Sequence, residues 1–547
     1  MKKIFNKRAL SLILAIVLCL GILSACSSST TSNETPSTPA TSENTSSETP
    51  ATSETSSEAP ADAEPVSTKD TMTIVLDQEI VTADPADQAQ RATAQFMLQM
   101  YETLLYFDDE GNTAPRLAES VEQVDDLTYQ VKLKEGIKFH NGEEMKSSDA
   151  VFSLSRAIEN PKTVSTMNIF DPEGFAIVDD YTFTFKTLEP NASVYTTLCS
   201  MCTAIVSEKA VNELGENFTK DATGAGTGPY QWGEWTPAVQ CTQVRFDDYW
   251  GEKAKVETLC WKFVSDANSR SVMLETGEAD LIYQVQTSGI EILLSNPDVT
   301  VYSEPSTTIR FIYFNQEDGK VLQNKALRQA ISYAIDREAL VQNVFGDYAA
   351  PATSFLAPAI LGHTDDLNTY DYNPELAKEK LAEAGYEPGE LTITMSMHSQ
   401  NVLIRMAEVI QAYLADIGIN MEIQPLETAA WVAALAEGST EMGFNANSNT
   451  SRDPKVLETP ALSTNVPAPN HGRINDPTLD DLLKQGAQTF DLAEREKIYI
   501  EAQQLIADEC YMYCICYDNT TTAVRSNLQG YVFHSSGLDR FETCYFG

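Results

Sequence analysis

An abrupt change of composition near residue 66 limits this chain more than any other feature of its sequence. Between residues 27 and 65 it contains no Val, Ile, Leu, Met, Phe, Tyr, Trp or Cys. Such a segment cannot bury enough apolar surface to offset the entropy cost of ordering it, so we expect a flexible stalk. A coil of this length spans roughly 35 Å. The core of any domain must therefore come from the residues after it.

Ahead of the stalk, the first residues have the layout of a secretory signal. Four basic side chains within the first eight positions precede an uncharged, apolar stretch over residues 9–25, and no comparable apolar run follows. The sequence Leu23-Ser24-Ala25-Cys26 resembles the bacterial lipoprotein box; an uncleaved signal anchor with a chance Cys is the alternative. Acylation of Cys26 would supply the two or more chains that stable anchoring needs. We predict a signal peptide over 1–25, a lipidated Cys26 with the stalk over 26–69, and a protein anchored to the outer face of the bacterial cytoplasmic membrane.

Charge excludes one class of partner. The chain has 37 basic and 79 acidic side chains and a formal net charge of −42. Nothing in this balance could neutralise a run of phosphates, so nucleic acid is not an expected partner. A content of 42% hydrophobic and 9% aromatic residues nevertheless indicates that most of the chain folds.

Residues 70–547 alternate strand patterns with amphipathic helices, which predicts an α/β fold of more than one lobe. One predicted helix has clear start and stop signals, because Asn373 can cap it, Pro374 suits its first turn and Gly385 can end it. Ser147 or Ser148 can cap another. The predicted strands cover 71–76, 128–133, 240–246, 257–264 and 280–282, with the third and fourth as a hairpin, and the predicted helices cover 95–105, 147–157, 325–336, 374–384, 403–417, 429–436 and 493–507.

Several short motifs follow one another in this region. They are LAES (117–120), DDLTY (125–129), LKEGIKFHNG (133–142), SDAVF (148–152), GTGPY (226–230), DYWG (248–251), GEAD (277–280), LRQA (327–330), YAIDR (333–337), residues 377–386 and IGI (417–419). In number, order and spacing they resemble the family 5 extracellular solute-binding proteins, the receptors of peptide and nickel ABC importers.

The resemblance implies a two-lobed, periplasmic-binding-protein-like fold (type II, cluster C) with a hinge and an extra domain. Lobe I would be discontinuous, over about 70–110, 220–300 and 505–547; the extra domain would cover about 111–219 and lobe II about 301–504. The implied function is capture of a small solute, by default an oligopeptide, and its delivery to an ABC permease by a monomer without a cofactor. No bond would be made or broken.

Two segments suggest catalysis or phosphate binding at first sight, but both are better interpreted as structural. His140 has no carboxylate or thiol partner at a recognisable spacing, so we interpret it as a buried or turn-bonded side chain. Gly224 to Gly228 superficially resembles a phosphate loop, but Pro229 and the alternating residues after it predict a strand. The resemblance places this strand near the crossover between lobes, where small residues let the backbone approach closely.

The candidate ligand site lies before Pro454. Peptide receptors of this family commonly place an Asp near a following Pro against the ligand's α-amino group, and the matching position here is Thr450. A shifted alignment would make Asp453 the match. If Thr450 is the match, the charge-assisted anchor is missing, and the polar side chains of Asn447, Asn449 and Arg452 would suit amides, hydroxyls or a carboxylate. A solvated loop is the alternative.

Two further segments supply candidates for the ligand pocket. Trp431 lies in a helix-like stretch, and Tyr283 and Gln284 follow an apolar strand. Aromatic and amide side chains at these places fit ligand-lining roles in the family. A place in the core is the alternative for Trp431.

Eight cysteines remain after Cys19 and Cys26. Cys199 and Cys202 form a C-x-x-C pair, Cys241 and Cys260 fall on the two strands of the proposed hairpin, and Cys510, Cys514 and Cys516 cluster. We expect structural thiols or one or two disulfides and no metal site, since a four-thiolate zinc site would need two C-x-x-C pairs.

Three classes of function remain open. The first is the importer receptor, with oligosaccharides and metal chelates as alternative solutes. An extracellular hydrolase is the second, although no G-x-S-x-G or H-E-x-x-H motif is present. A sensor on the same fold is the third.

Overall fold

The computed structural model of this chain describes residues 67–88, 90–108, 111–448 and 451–547. The predicted signal peptide, Cys26 and most of the stalk lie outside these ranges. None of the helices within them has the length and apolar character needed to cross a bilayer.

Nineteen strands form within the described ranges. They are β1 (Thr71–Leu76), β2 (Leu105–Phe107), β3 (Thr113–Pro115), β4 (Ala118–Gln123), β5 (Thr128–Leu133), β6 (Ala176–Asp179), β7 (Thr182–Lys186), β8 (Tyr230–Thr236), β9 (Gln240–Arg245), β10 (Thr258–Phe263), β11 (Leu281–Tyr283), β12 (Val299–Phe314), β13 (Ala349–Pro351), β14 (Thr392–His398), β15 (Asn420–Leu426), β16 (Met442–Ser448), β17 (Met512–Arg525), β18 (Leu528–Gln529) and β19 (Tyr545–Phe546).

Fifteen α-helices alternate with these strands in the described part of the chain. They are α1 (Arg91–Met97), α2 (Ser147–Glu159), α3 (Val164–Met167), α4 (Val194–Thr197), α5 (Glu208–Leu214), α6 (Ala267–Glu275), α7 (Thr287–Leu294), α8 (Lys325–Ala334), α9 (Arg337–Phe345), α10 (Pro374–Glu383), α11 (Asn401–Asp416), α12 (Thr428–Glu437), α13 (Glu458–Ala461), α14 (Pro477–Gln488) and α15 (Leu492–Asp508). The fold is α/β, as the alternation of patterns predicts.

One sheet of eleven strands runs through the molecule, in the order β15-β14-β16-β12-β17-β11-β1-β10-β9-β8, with β13 paired to β17. Separate hydrophobic cores cover its two halves. One half packs Phe96, Trp261 and Leu281, and the other packs Ile312, Ile393 and Met406. These halves are lobe I and lobe II.

Lobes I and II are joined in the sheet by the long strands β12 and β17. Their antiparallel register is regular from Val299 to Pro305, and it resumes at Ile309, which faces Tyr517. Three residues of β12, 306–308, therefore lie opposite a single residue of β17, Asp518. A bulge of this kind bends a ribbon locally, and it marks the place in the sheet where a hinge between the lobes would lie. This bulge lies beyond the lobe boundaries predicted at 300 and 505, and those boundaries stay a prediction.

The extra domain has its own core. The four strands β4-β5-β7-β6 form an antiparallel sheet, and α2 packs on it. Tyr129, Phe183 and Phe185 are fully buried between them, and the rings of Tyr129 and Phe185 stack with their centroids 5.1 Å apart. Alternation along β5, with every second residue buried, gives this sheet its inner face.

Local signals explain most of the element boundaries. The predicted bounds of β1 and β5 and the predicted hairpin of β9 and β10 are confirmed. Asn373 caps α10 by accepting the N–H of Leu376 at 3.0 Å, and Gly385 follows with φ +93°.

Two predictions about helices were wrong. The helix predicted over 95–105 ends at Met97, because the carbonyls of Gln99 and Met100 accept hydrogen bonds from Tyr230 and Gly228 across the lobe. Neither Ser147 nor Ser148 caps α2. Instead, Asp149 accepts the N–H of Lys146 at 3.0 Å in a capping box.

Candidate functional site

A cavity of about 150 Å³ opens between the lobes and the extra domain. We call it the interlobe pocket. Residues from the end of α1, from β2 and from the C-terminal loop over 531–544 line it on one side, and Arg452 of lobe II closes the other. A concave site built from two hinged bodies is a typical place for a small ligand.

Aromatic rings form the apolar wall of the interlobe pocket. Tyr106 and Phe107 come from β2 and Tyr101 from the turn after α1. The Tyr101 hydroxyl donates to the Ala83 carbonyl at 2.8 Å, which fixes this ring. Burial of the hydroxyl raises the pKa of Tyr101, so it stays neutral. The wall is therefore apolar and rigid.

Arg452 reaches from lobe II to the hairpin of β2 and β3. Its guanidinium lies 5.9 Å from the centre of the Phe107 ring. It also lies so close to Gly111 that a Cβ there would come within 2.1 Å of it. The backbone of Arg452 has φ +51°, in the left-handed region that a residue with a side chain seldom adopts.

The next residue, Asp453, anchors this loop in the interior. It is 3% exposed and forms an ion pair with Arg495 at 2.8 Å. Ser193 and Thr196 of the extra domain each donate a hydroxyl to it at 3.0 Å. Burial lowers the pKa of Arg495, but the attraction and hydrogen bonding of Asp453 and Tyr499 together outweigh it, and the pKa is raised. The pair ties lobe II to the extra domain.

An equivalent anchor holds the C-terminal loop on lobe I. Asp539 is fully buried and accepts the hydroxyls of Tyr283 at 2.7 Å and Tyr531 at 2.8 Å and the N–H of His534 at 2.9 Å. Burial raises the pKa of Asp539, and these hydrogen bonds lower it only in part. The anchored loop presents Arg540 and His534 to the interlobe pocket.

The residues predicted around Pro454 separate into different environments. Asp453 has its carboxylate taken up by the buried ion pair, which opposes a role as the ligand's amine anchor. Asn447 donates its side-chain N–H to the Val456 carbonyl at 3.0 Å, which fixes the loop. Thr450 and Asn449 lie outside the described residues. Of this group, the structure brings Arg452 to the interlobe pocket.

The other predicted lining residues lie outside the wall of this pocket. The Tyr283 side chain is 3% exposed, and its hydroxyl is bound to Asp539, so it supports the C-terminal loop. Gln284 has φ +53°, and its side-chain carbonyl accepts a hydrogen bond from Arg91. Trp431 is half-buried on α12, with its ring centre 6.4 Å from that of Tyr313.

Several residues of the interlobe pocket were not predicted. Tyr106, Phe107, His534 and Arg540 lie in segments more than 400 residues apart that the C-terminal loop brings together. The one signal in the sequence is the hydrophobic and aromatic run that ends in Phe107, directly before the acidic residues 108–110. Nothing local to the C-terminal loop indicates which lobe it packs on.

The structural readings of His140 and of the glycine-rich segment agree with the contacts. His140 Nε2 lies 2.9 Å from the Gly228 carbonyl, and burial lowers the pKa of His140 to about 4. A Cβ on Gly226 would come within 2.1 Å of the Met100 carbonyl. The close approach is confirmed, but Met100 and Gly226 both belong to lobe I, so it lies within that lobe rather than at the crossover between lobes I and II.

The eight cysteines after Cys26 are all free thiols in the described ranges. Cys241 faces Trp261 across the hairpin while Cys260 faces Thr242, so the two thiols point to opposite faces and are not paired neighbours. Burial raises the pKa of Cys202 to about 12. Within the described residues, no cluster of three or more His, Cys, Asp or Glu side chains could hold a metal ion.

Known proteins resemble this chain over most of its length. The model of a family described as bacterial extracellular solute-binding proteins, family 5 Middle, matches residues 112–466. The glutathione-binding protein GsiB of Escherichia coli K12 is 28% identical over 471 residues, which cover 84% of this chain and 91% of GsiB.

Two solved structures extend this similarity to the fold. The substrate-binding protein CtaP of Listeria monocytogenes superposes with a TM-score of 0.79 at 25% identity, over 87% of this chain and 99% of CtaP. AgaA of A. tumefaciens R10, in complex with agropinic acid, has a TM-score of 0.74 at 25% identity, over 87% of this chain and 99% of AgaA.

Proposed function

This chain belongs to the family 5 bacterial extracellular solute-binding proteins, and from that premise we propose that it captures a peptide between its lobes and hands it to an ABC importer. Like the relatives it matches, it is a solute-binding protein and not an enzyme. The two-lobed fold of such proteins is the one described above.

The observation that carries this proposal is the interlobe pocket. It lies between bodies that are linked in the sheet by two strands with a bulge, and Arg452 of lobe II reaches across it to the hairpin of β2 and β3. A ligand that contacts both sides favours the closed arrangement, because only that arrangement makes all its contacts. The closed form is then the one an importer recognises.

A peptide is the ligand class that the relatives favour. GsiB is named for glutathione, which is itself a tripeptide. An aromatic wall with a few convergent polar groups suits the side chains and polar backbone of a peptide. A non-peptide solute is the second candidate, since AgaA was solved with agropinic acid.

Thr450 bears on how the peptide's α-amino group is held. It occupies the position where peptide receptors of this family commonly have an Asp, and the neighbouring Asp453 is used by Arg495. A ligand with a free amine would then lack a charge-assisted anchor. Thr450→Asp should therefore strengthen binding of peptides with a free amine, measured against the same peptides acetylated at the N-terminus. If the ratio of the affinities for free and acetylated peptides stays unchanged, Thr450 is not a residue of the ligand site.

Anchoring to the membrane completes the proposed role. The lipoprotein box predicts that Cys26 carries acyl chains and that the stalk holds the body away from the bilayer. Cys26→Ala should release the protein from the membrane fraction into the medium. Persistent membrane association of this variant would contradict the lipid anchor.

The decisive experiment is mass spectrometry of the small molecules that leave the purified full chain when it is denatured. Peptides, of one or many sequences, support the proposal. A single compound without a peptide bond would overturn the peptide assignment and favour the second candidate. The same compound must raise the melting temperature of the protein after refolding, which separates a ligand from a contaminant.

A further inference from the structure

The interlobe pocket differs in charge from the molecule around it. Acidic side chains outnumber basic ones by 79 to 37 in the chain. Among the described residues that line the pocket the balance is reversed, with the two arginines Arg452 and Arg540 against the single acid Asp108. The average composition of the surface does not account for this reversal.

The one acid of the lining is already engaged. Asp108 accepts the backbone N–H of Asn112 at 2.7 Å and lies 3.4 Å from its side-chain amide. These contacts belong to the turn of the β2–β3 hairpin. Within the described ranges, no ion pair joins Asp108 to either arginine of the pocket.

Arg452 places its guanidinium at the wall of the interlobe pocket. In the described part of the chain, no carboxylate pairs with its guanidinium and no side-chain hydrogen bond uses it; its neighbours are the Phe107 ring and Gly111. A guanidinium offers five N–H donors in a plane, an arrangement that matches a carboxylate. Its strained backbone is held in place by Asp453, so its position is fixed from the interior.

Arg540 is also incompletely satisfied. Its Nη1 lies 3.5 Å from the Glu542 carboxylate, and this buried atom has no hydrogen-bond partner within the described residues. A buried donor without a partner carries a free-energy cost that a ligand acceptor can remove. Arg540 belongs to lobe I and Arg452 to lobe II.

We propose that the interlobe pocket selects its ligand by carboxylates, so that the preferred peptides carry an acidic side chain or a second carboxyl group held by Arg452 and Arg540. This specificity rests on the proposed function of the same pocket. Because the two guanidinium groups come from different lobes, a ligand with this chemistry draws the lobes together as it binds. A neutral peptide of the same shape satisfies fewer of these donors.

A matched peptide series tests this specificity. Isothermal titration calorimetry of the full chain uses Ala-Glu-Ala, Ala-Gln-Ala and Ala-Lys-Ala, which differ in one side chain, together with glutathione. We expect Ala-Glu-Ala to bind at least tenfold more tightly than Ala-Gln-Ala, and Ala-Lys-Ala to bind most weakly. The preference should shrink as salt is added, because it is electrostatic.

Variants assign the preference to the two arginines. Arg452→Gln should weaken binding of Ala-Glu-Ala about tenfold and leave Ala-Gln-Ala within twofold. Arg540→Gln combined with Glu542→Gln removes the second guanidinium without leaving its partner unpaired, and should reduce the same ratio. Lys378→Gln makes the same charge change on the exposed face of α10, beside Glu375, and should leave the ratio unaltered.

The outcomes distinguish the carboxylate specificity from the proposed peptide binding. Equal affinity for the three peptides, or an Arg452→Gln variant that keeps the full preference, would overturn the carboxylate specificity while leaving peptide binding intact. If neither the tripeptides nor glutathione bind to the wild-type chain, the proposed function fails as well. The ratio of two affinities for one variant is insensitive to a partial loss of folded protein, so destabilised variants remain informative.

Discussion

Two loops, one from each lobe, supply an arginine to the interlobe pocket, and each loop is fixed by a buried aspartate next to that arginine. In lobe II the pair is Arg452 and Asp453; in lobe I it is Arg540 and Asp539. Asp453 is compensated by the full charge of Arg495. Within the described residues no cation is bonded to Asp539, which is held by two tyrosine hydroxyls and a backbone N–H.

The difference shows two ways of burying a carboxyl group. A charge paired with a charge stays ionised, and removing either member leaves the other uncompensated. A carboxyl group surrounded by neutral donors avoids part of the desolvation cost by favouring its protonated form, which is why burial raises the pKa of Asp539. The lobe II anchor should therefore be the more sensitive to substitution, and the lobe I anchor the more sensitive to pH.

The largest effect should come from Asp453→Asn compared with Asp539→Asn. The first leaves Arg495 buried without a counter-charge, which should lower the free energy of unfolding by about 3–5 kcal/mol. The second leaves no unpaired cation and should cost about 1–3 kcal/mol. Urea unfolding of both variants measures the difference. Equal losses would contradict the comparison.

The pH dependence of stability tests the surroundings of the lobe II anchor, because Glu458 lies beside Asp453. Burial, opposed in part by Lys455, raises the pKa of Glu458 to about 7. Between its ordinary value and about 7, the unfolded chain is ionised at this group while the folded protein holds the proton. Stability should therefore fall by up to about 3 kcal/mol as pH rises through this window.

Glu458→Gln is the variant that checks the origin of this decline. Its unfolding free energy should lose that part of the pH dependence, whereas Glu375→Gln, at an exposed residue of α10, should keep it. Thermal unfolding at half-unit steps of pH supplies the curve. An unchanged slope in Glu458→Gln would assign the decline to other groups, with Asp539 as the next to test.

Tyr283→Phe removes one neutral donor from the lobe I anchor. The lost hydrogen bond to Asp539 should cost about 1.5–3 kcal/mol, as for a hydrogen bond to a charged group, and less if Asp539 is protonated. Tyr129→Phe is the matched control, because that buried hydroxyl has no hydrogen-bond partner among the residues that the structure describes, and its removal should be neutral or stabilising. Urea unfolding at two pH values distinguishes the two states of Asp539. A similar cost in both variants would refute the anchor.

The smallest effect concerns the contact between lobe II and the extra domain. Ser193→Ala removes one of the hydroxyls donated to Asp453 and should cost about 0.5–1.5 kcal/mol. Because this hydrogen bond joins lobe II to the extra domain, its loss should also destabilise the closed form of the protein. Ligand affinity should therefore drop a few-fold even when the variant is fully folded. Small-angle scattering with and without ligand reports the change in closure. Thr166→Ala, at a residue of α3 in the extra domain, serves as the control.

Much of the fold could be predicted because its signals are local. The bounds of β1 and β5, the hairpin of β9 and β10 and the cap at Asn373 follow from alternation, turn residues and a side chain that accepts a nearby N–H. The helix predicted beyond Met97 was wrong for a non-local reason. Its continuation is prevented by hydrogen bonds to Gly228 and Tyr230, more than 100 residues away.

The site was predictable only in part, and Arg452 and Asp453 show why. Their sequence indicates a polar loop before a proline, but not which side chain faces inward. That assignment depends on Arg495 and Ser193, which reach Asp453 from two other segments of the chain. For the same reason Tyr283 was predicted as a ligand contact but supports Asp539, and Arg540 was not predicted at all.

The β12–β17 ribbon is irregular over a short stretch, with register shifts between Pro305 and Ile309 and between Arg310 and Phe311. A two-stranded ribbon resists stretching and in-plane shear, since both would break its ladder of hydrogen bonds. It bends most easily where the ladder is interrupted, and here three residues of one strand span the distance covered by one residue of the other. If lobe II moves as a rigid lever, a few backbone torsions in this stretch suffice to absorb the movement, and a ligand's binding energy would go into rotation there rather than into deformation of either lobe.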